Sequence, residues 1–241
     1  MEEKMNMKAT LAELIGTFTL VFIGTATAVF AGSGILGPGG GMGILAIAFA
    51  FGFTLLVLVY AIGPISGCHI NPAVTIAMLV ARKIGVQDGI AYIIAQVIGA
   101  FLASLVLWGI LSGVIGGTSA GIAEYSRSVH GLGANDVPPF LSVSSALGFE
   151  VVLTALFLYV IFNATSSAAK PETAGLAIGG YLFVAHIIGV PLGDSSLNPA
   201  RSIGPAILQG GTALAHLWVF IVAPIIGGLI GYGMFRMTSK D

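Results

Sequence analysis

The chain has 241 residues, of which 56% are hydrophobic and 8% charged, and its formal net charge is -1. Soluble domains are about one quarter charged, and this chain, with a mean hydropathy of +1.02, is too apolar to belong to the soluble globular class. We predict an all-α protein of the lipid bilayer. No basic cluster indicates a nucleic-acid partner, and the single cysteine, Cys68, excludes an intrachain disulfide and a multi-cysteine metal site.

The N-terminal segment MEEKMNMK has acidic residues beside its lysines, unlike the positively charged start of a signal peptide. We therefore expect a retained first span rather than a cleaved signal peptide. Apolar runs of spanning length predict six transmembrane helices at residues 10–31, 44–62, 88–113, 142–163, 174–191 and 216–235. With both termini in the cytoplasm, every cation except Arg127 and Arg201 lies on the cytoplasmic side. We therefore predict that the protein lies in the cell membrane in this orientation.

The tripeptide Asn-Pro-Ala occurs twice within hydrophobic sequence, at Asn71-Pro72-Ala73 and at Asn198-Pro199-Ala200. Asparagine is a favoured N-cap and proline suits the first helical position, so each copy predicts a helix start. About ten helix-compatible residues follow each copy, which makes about 15 Å of helix, half the thickness of the hydrocarbon core. Two half-helices that begin at the middle of the membrane from opposite sides would together make one span, as in a pore.

The two halves of the chain repeat the same order of features. Glu13 lies in the first span and Glu150 in the fourth, and each half has its Asn-Pro-Ala between its second and third spans. Because three spans is an odd number, we expect inverted repeats, at residues 8–113 and 140–236, joined by an external loop at 114–139 within one channel domain. Small-xxx-small pairs predict close helix crossings at Gly109/Gly113, Gly175/Gly179 and Gly227/Gly231.

A hydrolase is an alternative of a different class. Gly117-Thr-Ser119-Ala-Gly121 matches the nucleophile-elbow pattern, and Asp136 and His186 follow in hydrolase chain order. That pattern needs a strand before it and a helix after it, whereas this copy lies in a Gly/Ser-rich external loop. We therefore predict that the protein is not an enzyme, and we expect no cofactor.

Two stretches carry a family resemblance: Ser66-Gly-Cys-His69-Ile-Asn71-Pro-Ala-Val-Thr75 and Leu197-Asn198-Pro-Ala-Arg201-Ser202-Ile-Gly204-Pro. With Ala12-Glu13 and Gly148-Phe-Glu150 added, the chain resembles aquaporins of the major intrinsic protein family, in particular prokaryotic water channels. The resemblance implies six tilted helices plus two re-entrant half-helices, assembled as a homotetramer with one pore per subunit. It implies passive conduction of water. Leakage of glycerol or other small neutral solutes, and facilitation of small polyols as the main activity, stay open.

The expected pore chemistry centres on the two motifs. The N-terminus of each half-helix would bring about half a positive charge to the midplane, and the amides of Asn71 and Asn198 would point at one spot. A water held there must offer its oxygen to both amides, which interrupts a proton wire, while the same field opposes cations. Backbone carbonyls in the extended segments before each motif would accept hydrogen bonds from passing water. These candidate carbonyls belong to Gly67, Cys68, His69, Asp194, Ser195 and Ser196.

Arg201 would lie in the first turn of a half-helix within the membrane, where a cation is costly. By resemblance it is one wall of an aromatic/arginine constriction. Positions matched from each Asn-Pro-Ala give the other walls as Phe51, His186 and Ser195. This set resembles that of water-selective members, although Ile221 stands where strict water channels usually have an aromatic residue.

Glu13 and Glu150 are carboxylates inside apolar spans, which are costly unless they have partners. The resemblance favours a bracing role, in which each accepts backbone N–H donors of the nearby pre-helix loop. The alternative is a proton relay in a proton-coupled secondary transporter, since such proteins also use inverted repeats and half-helices. Cys68, three residues before Asn71, is the counterpart of Ser195 and is either an inert buried thiol or exposed to the pore.

Overall fold

The computed structural model describes residues 5–32, 41–114, 131–193 and 195–239. These ranges are helical and contain no strand, and six of their helices are long and apolar enough to cross a membrane. The spans are α1 (Met7–Gly32), α2 (Gly41–Ser66), α4 (Val86–Val114), α5 (Val143–Ala164), α6 (Ala174–Gly189) and α9 (Val219–Thr238). Short 3₁₀ turns extend α6 at both ends, at Pro171–Thr173 and Val190–Leu192, and the short helix α8 (Gly211–His216) precedes α9. The predicted all-α fold with six spans is confirmed.

Two shorter helices, α3 (Pro72–Val80) and α7 (Pro199–Gln209), begin at the two Asn-Pro-Ala motifs. They have 9 and 11 residues, which corresponds to about 14–17 Å at 1.5 Å per residue, half of a membrane span. Asn71 and Asn198 have extended backbones, and each side-chain oxygen accepts a hydrogen bond from the first turn of its helix. Proline occupies the first helical position, where a missing N–H does no harm. The predicted helix starts are therefore present.

The helices pack in a reciprocal pattern. In the first half of the chain α1 packs against α2 and α4, and in the second half α5 packs against α6 and α9. The halves meet where α2 packs against α6, and each half-helix crosses to the other half, with α3 against α9 and α7 against α4. Each half therefore completes the other around the half-helices.

Glycine at the helix crossings allows several of these close contacts. A Cβ added to Gly179 of α6 would lie 2.5 Å from the Gly52 carbonyl of α2, and one added to Gly231 of α9 would lie 2.3 Å from the Ala155 carbonyl of α5. The predicted crossings at Gly175/Gly179 and Gly227/Gly231 are therefore confirmed. The prediction for Gly109/Gly113 is wrong within the described residues, because a Cβ at either position would meet no atom within 4 Å. The spacing permits a close crossing but does not select a partner helix.

Candidate functional site: a cavity at the meeting point of two half-helices

A cavity of about 250 Å³ lies between the two halves of the bundle. Its lining extends from Lys83 and Ser166, near the ends of α3 and α5, to Phe51, His186 and Arg201. Both motif asparagines and much of both pre-helix segments also line the cavity. Most of the remaining wall is aliphatic and aromatic. The cavity therefore has a polar part, from the motif and pre-helix residues, and an apolar part.

The two motif asparagines are linked to opposite halves of the protein. The Asn71 Nδ2 donates to the Leu197 carbonyl at 2.8 Å, and the Asn198 Nδ2 donates to the Ile70 carbonyl at 2.9 Å. An amide nitrogen has two hydrogens, so one serves the cross-link and the other is the donor that the predicted pore role requires. These two bonds fix the start of each half-helix to the segment that precedes the other half-helix. The sequence did not indicate them.

The prediction of extended segments before the half-helices is wrong. Several of their residues have left-handed backbones, with φ of 85° at Gly67, 52° at Cys68, 40° at Ile70, 32° at Ser195 and 52° at Leu197. In L-residues this conformation costs energy and persists where the surroundings impose it. No hydrogen bond among the described residues reaches the carbonyl oxygens of Gly67, Cys68, His69, Ser195 and Ser196. The sixth candidate carbonyl, that of Asp194, lies outside the described residues.

Glu13 of α1 is fully buried and accepts four hydrogen bonds. Its Oε1 accepts from the Ser66 hydroxyl at 2.6 Å and the His69 amide at 2.9 Å, and its Oε2 accepts from the Ile70 amide at 2.5 Å and Gln96 Nε2 at 2.7 Å. The carboxylate therefore contacts the pre-helix segment directly, in the way that the bracing interpretation requires. Ser66 and Gln96 were not identified from sequence, because nothing local marks them as partners of a residue in α1.

Glu150 of α5 repeats this arrangement in the other half with fewer donors. Its Oε1 accepts from the Ser196 amide at 2.6 Å and its Oε2 accepts from the Leu197 amide at 3.0 Å. The Ser196 and Leu197 amides occupy the same places before Asn198 as the His69 and Ile70 amides do before Asn71. Each glutamate thus holds two consecutive N–H groups of one pre-helix segment.

Three of the four predicted constriction residues form one group. The ring centroids of Phe51 and His186 lie 4.5 Å apart in a stacked pair, and the Arg201 guanidinium carbon lies 4.9 Å from the centroid of Phe51. His186 Nδ1 lies 2.9 Å from the Leu182 carbonyl oxygen. Because a carbonyl can only accept, Nδ1 is the donor of this hydrogen bond. The Nε2 atom of a neutral ring is then an acceptor, and it has no partner among the described residues.

Ser195, the fourth predicted wall, packs against the end of α6. Its side chain is buried against the backbone of Gly189, where an added Cβ would lie 2.2 Å from the hydroxyl oxygen. It is not among the described residues that line the cavity, whereas Cys68, its counterpart in the first half, is among them. The repeats therefore differ at this pair of positions.

A segment on the other side of the constriction was not identified from sequence. We call residues 131–138 the outer strap. The Gly133 carbonyl accepts from Arg201 at 2.6 Å, and Asn135 Oδ1 accepts from the Ser202 hydroxyl at 2.6 Å. Gly133 and Asn135 of the strap therefore contact Arg201 and Ser202, two consecutive residues in the first turn of α7. The only signal in the sequence is a run of small and turn-forming residues, which does not identify a partner.

Asp136 and His186 of the hydrolase alternative have different partners. Asp136 binds His216 Nδ1 at 2.7 Å, whereas His186 stacks on Phe51 and donates to Leu182. Ser119 lies outside the described residues. His69 contacts the Thr75 hydroxyl at 3.2 Å, and the described residues contain no group of three His, Cys, Asp or Glu side chains that could hold a metal ion.

Comparison with known proteins identifies the family. The sequence profile described as Major intrinsic protein matches residues 1–235. A protein of Lactiplantibacillus plantarum named glycerol uptake facilitator protein-like 6 is 46% identical over 98% of this chain and 100% of its own. Aquaporin Z of Rhodopseudomonas palustris is 41% identical over 98% of this chain and 95% of its own. The X-ray structure of the aquaglyceroporin from Plasmodium falciparum superposes with a TM-score of 0.81 over 96% of both chains, at 23% identity, which supports the fold. The chain therefore belongs to the major intrinsic protein family, whose members are passive membrane channels rather than enzymes.

Proposed function

We propose that this protein is a passive channel that conducts water in single file and excludes protons and ions. The observation that carries the proposal is the pair of asparagines at the N-termini of α3 and α7. Each amide uses one hydrogen to bind the opposite pre-helix segment, and both residues line the same cavity. Two donors from opposite halves are thereby held at one level of the path.

Proton exclusion follows from these donors and from the two helix dipoles. A water molecule between Asn71 and Asn198 offers its oxygen to both amides, so its hydrogens point away toward the neighbouring waters. A proton cannot hop through a water that accepts on both sides. The partial positive charge at each half-helix N-terminus, about half a unit, adds an electrostatic barrier to hydronium and metal cations.

We propose that the two buried glutamates brace this arrangement. Glu13 and Glu150 occupy consecutive N–H groups before each motif, so the groups of these segments that remain for the cavity are carbonyl acceptors. The carbonyls of Gly67, Cys68 and His69 would then accept from water in one half of the pore. Those of Ser195 and Ser196 would do so in the other half, together with Asp194.

The constriction of Phe51, His186 and Arg201 is the proposed selectivity filter. A stacked pair of rings, one of them against a guanidinium, leaves little room. The group combines a hydrogen-bond acceptor, His186 Nε2, with donors from Arg201. Ser195 packs against Gly189, three residues after His186 in the same helix, and remains the proposed fourth wall. A small polar solute such as water fits these conditions better than a polyol.

Facilitation of small polyols is the second candidate. A relative named for glycerol uptake is 46% identical to this chain, and the cavity behind the constriction has a largely apolar wall against which a carbon skeleton would pack. The two activities differ in the ratio of glycerol to water permeability, which a single preparation can measure.

The chain is a multi-pass membrane protein with six spans. We propose that it lies in the cell membrane with both termini in the cytoplasm, since this orientation places most cations on the cytoplasmic side. We also propose a homotetramer of channel domains, each built from inverted repeats at residues 8–113 and 140–236. Crosslinking of the protein in native membranes would test the tetramer, and protease access to tags at each terminus would test the orientation.

Stopped-flow light scattering of proteoliposomes tests the proposed function. Vesicles that contain the protein should shrink faster than empty vesicles in impermeant sucrose, with a low activation energy and no added proton leak by a pH-sensitive dye. Val74 lines the cavity, whereas Val80 of the same half-helix is half exposed and is not among the residues that line it. Val74→Trp should therefore block the water flow and Val80→Trp should preserve it.

Shrinkage at the rate of empty vesicles, with the folded protein verified by size-exclusion chromatography, would show that the proposal is wrong. A proton-coupled transporter would instead accumulate a solute when a proton gradient is imposed. Equal block by Val74→Trp and Val80→Trp would show that the cavity is not the path.

A further inference from the structure

The outer strap is tied down at one end by an aspartate. Asp136 Oδ1 accepts from the Val137 amide and from His216 Nδ1, both at 2.7 Å, and its Oδ2 accepts from the Thr212 hydroxyl at 2.5 Å. Thr212 and His216 are four residues apart in α8, so both project from the same side of that helix. We call Asp136, Thr212 and His216 the strap anchor.

The strap anchor lies close to the bond that holds Arg201. Three residues separate Asp136 from Gly133, whose carbonyl accepts from the Arg201 guanidinium at 2.6 Å. Between them Asn135 accepts from Ser202, the residue after Arg201. A displacement at Asp136 is therefore transmitted over a short piece of backbone to the carbonyl that fixes the guanidinium.

The remaining contacts of the strap limit how it can move. At its other end the Leu132 amide donates to Gln209 Oε1 at 2.9 Å. Gly133 has a φ of 68°, and an added Cβ would lie 2.9 Å from the Cβ of Thr25 in α1, so its backbone is pressed against that helix. The strap is thus fixed at Gln209 and α1 on one side and at the strap anchor on the other, with the Gly133 carbonyl between them. On the anchor side it also contacts Gly193, whose carbonyl accepts from Asn135 at 3.4 Å and whose added Cβ would lie 2.4 Å from the Asp136 carbonyl.

The chemistry of the anchor requires a carboxylate. Three donors converge on the two oxygens of Asp136, and a carboxylate accepts on both. The side chains of Asp136 and His216 are 32% and 28% exposed, so the anchor lies at the surface and can be altered without disturbing a packed core.

We propose that the strap anchor positions Arg201 and thereby sets how strongly the constriction discriminates against neutral solutes larger than water. Asp136 is a positioning residue in this scheme, since it acts through Gly133 and does not border the cavity. The inference rests on the proposed role of Arg201 as a wall of the selectivity filter. Loss of the anchor lets the Gly133 carbonyl shift, the guanidinium follows it, and the constriction widens.

The test compares two pairs of substitutions in proteoliposomes. Thr212→Val with His216→Phe removes both side-chain donors to Asp136 while preserving approximate shape. Thr212→Ser with His216→Asn retains a hydroxyl donor and an amide donor in place of Nδ1. We expect the first pair to raise the ratio of glycerol to water permeability by about three- to tenfold, a typical range for coupled polar contacts. The second pair should restore the ratio of the parent protein.

The same pairs in an Arg201→Val background separate positioning from general loosening. If the anchor acts through Arg201, the first pair changes the ratio no further once the guanidinium is absent. A parent-like ratio in the first pair, or an equal increase in both backgrounds, overturns the inference. If Arg201→Val itself leaves the ratio unchanged, the proposed role of Arg201 fails and the inference fails with it. Thr212→Val alone, at an exposed position, repeats the comparison should the double variant not fold.

Discussion

Replacement of Glu150 by glutamine should destabilise the second half of the channel. The Glu150 side chain is 2% exposed, and its two oxygens accept from the Ser196 and Leu197 amides at 2.6 and 3.0 Å. Glutamine has nearly the same shape but only one acceptor oxygen. In Glu150→Gln one of these backbone amides therefore faces the new NH₂ group, and two donors meet in a buried site.

The size of the effect follows from the lost bond. A hydrogen bond to a charged group contributes about 1.5–3 kcal/mol, and a buried donor without a partner costs about 1–3 kcal/mol. The two figures describe overlapping contributions, so we expect Glu150→Gln to lower the free energy of unfolding by about 2–3 kcal/mol. The Leu197 carbonyl also accepts from Asn71 at 2.8 Å, so a shift of this segment disturbs the asparagine cross-link and should reduce water permeability per folded channel.

Titration with a denaturing detergent measures the change in stability, and stopped-flow light scattering measures the change in permeability. Glu172→Gln is the matched control, since it removes the same charge from an exposed position. The free energy of unfolding of this variant should stay within about 0.5 kcal/mol of that of the parent protein. Parent-like stability and water flow in Glu150→Gln would refute the assignment of Glu150 as a brace.

Three further predictions concern packing, selectivity and the single thiol. Gly179→Ala should cost about 1–3 kcal/mol of stability by overpacking against α2, whereas a Cβ at Gly180 meets nothing within 4 Å and Gly180→Ala should be tolerated; similar unfolding midpoints for the two variants would contradict this account. Trimming both Phe51 and His186 to alanine should raise the ratio of glycerol to water permeability in vesicles, and an unchanged ratio in folded variants would count against these side chains as walls. Cys68 lines the cavity, so a mercurial should slow water flow in the parent protein and not in Cys68→Ser; block that persists in the variant would disprove the assignment, because the chain has no other thiol.

The sequence was informative where a local rule or the cost of membrane burial acts on single residues. Six spans follow from hydropathy, and the half-helices follow from the capping preferences of Asn71 and Asn198. Two carboxylates in apolar helices had to have partners, and the structure gives them backbone amides of the pre-helix segments. These predictions needed no knowledge of which helices are neighbours.

The contacts that the sequence did not indicate join residues far apart in the chain. The asparagine cross-links connect residues 126 and 128 positions apart, and Gln96 lies 83 positions from Glu13. Gly133 of the outer strap lies 68 positions from Arg201. Periodicity and capping describe one element at a time, so they cannot specify such pairs. The error at Gly109/Gly113 has the same origin, since small residues at helical spacing fit many surfaces.

The hydrogen-bond accounting of the two pre-helix segments explains why the cavity is polar along only one side. In a bilayer every backbone polar group needs a partner within the protein or a water. The glutamates take N–H groups at His69, Ile70, Ser196 and Leu197, and the asparagine amides take the carbonyls of Ile70 and Leu197.

What this accounting leaves in the described segments is a set of carbonyls without protein partners, together with one hydrogen on each asparagine amide. In the proposed mechanism, a water donates to each carbonyl in turn and accepts at the asparagines. On this proposal, the reversal of water orientation that blocks a proton wire needs no dedicated gate. It follows from which backbone groups the two glutamates and two asparagines occupy and which they leave open.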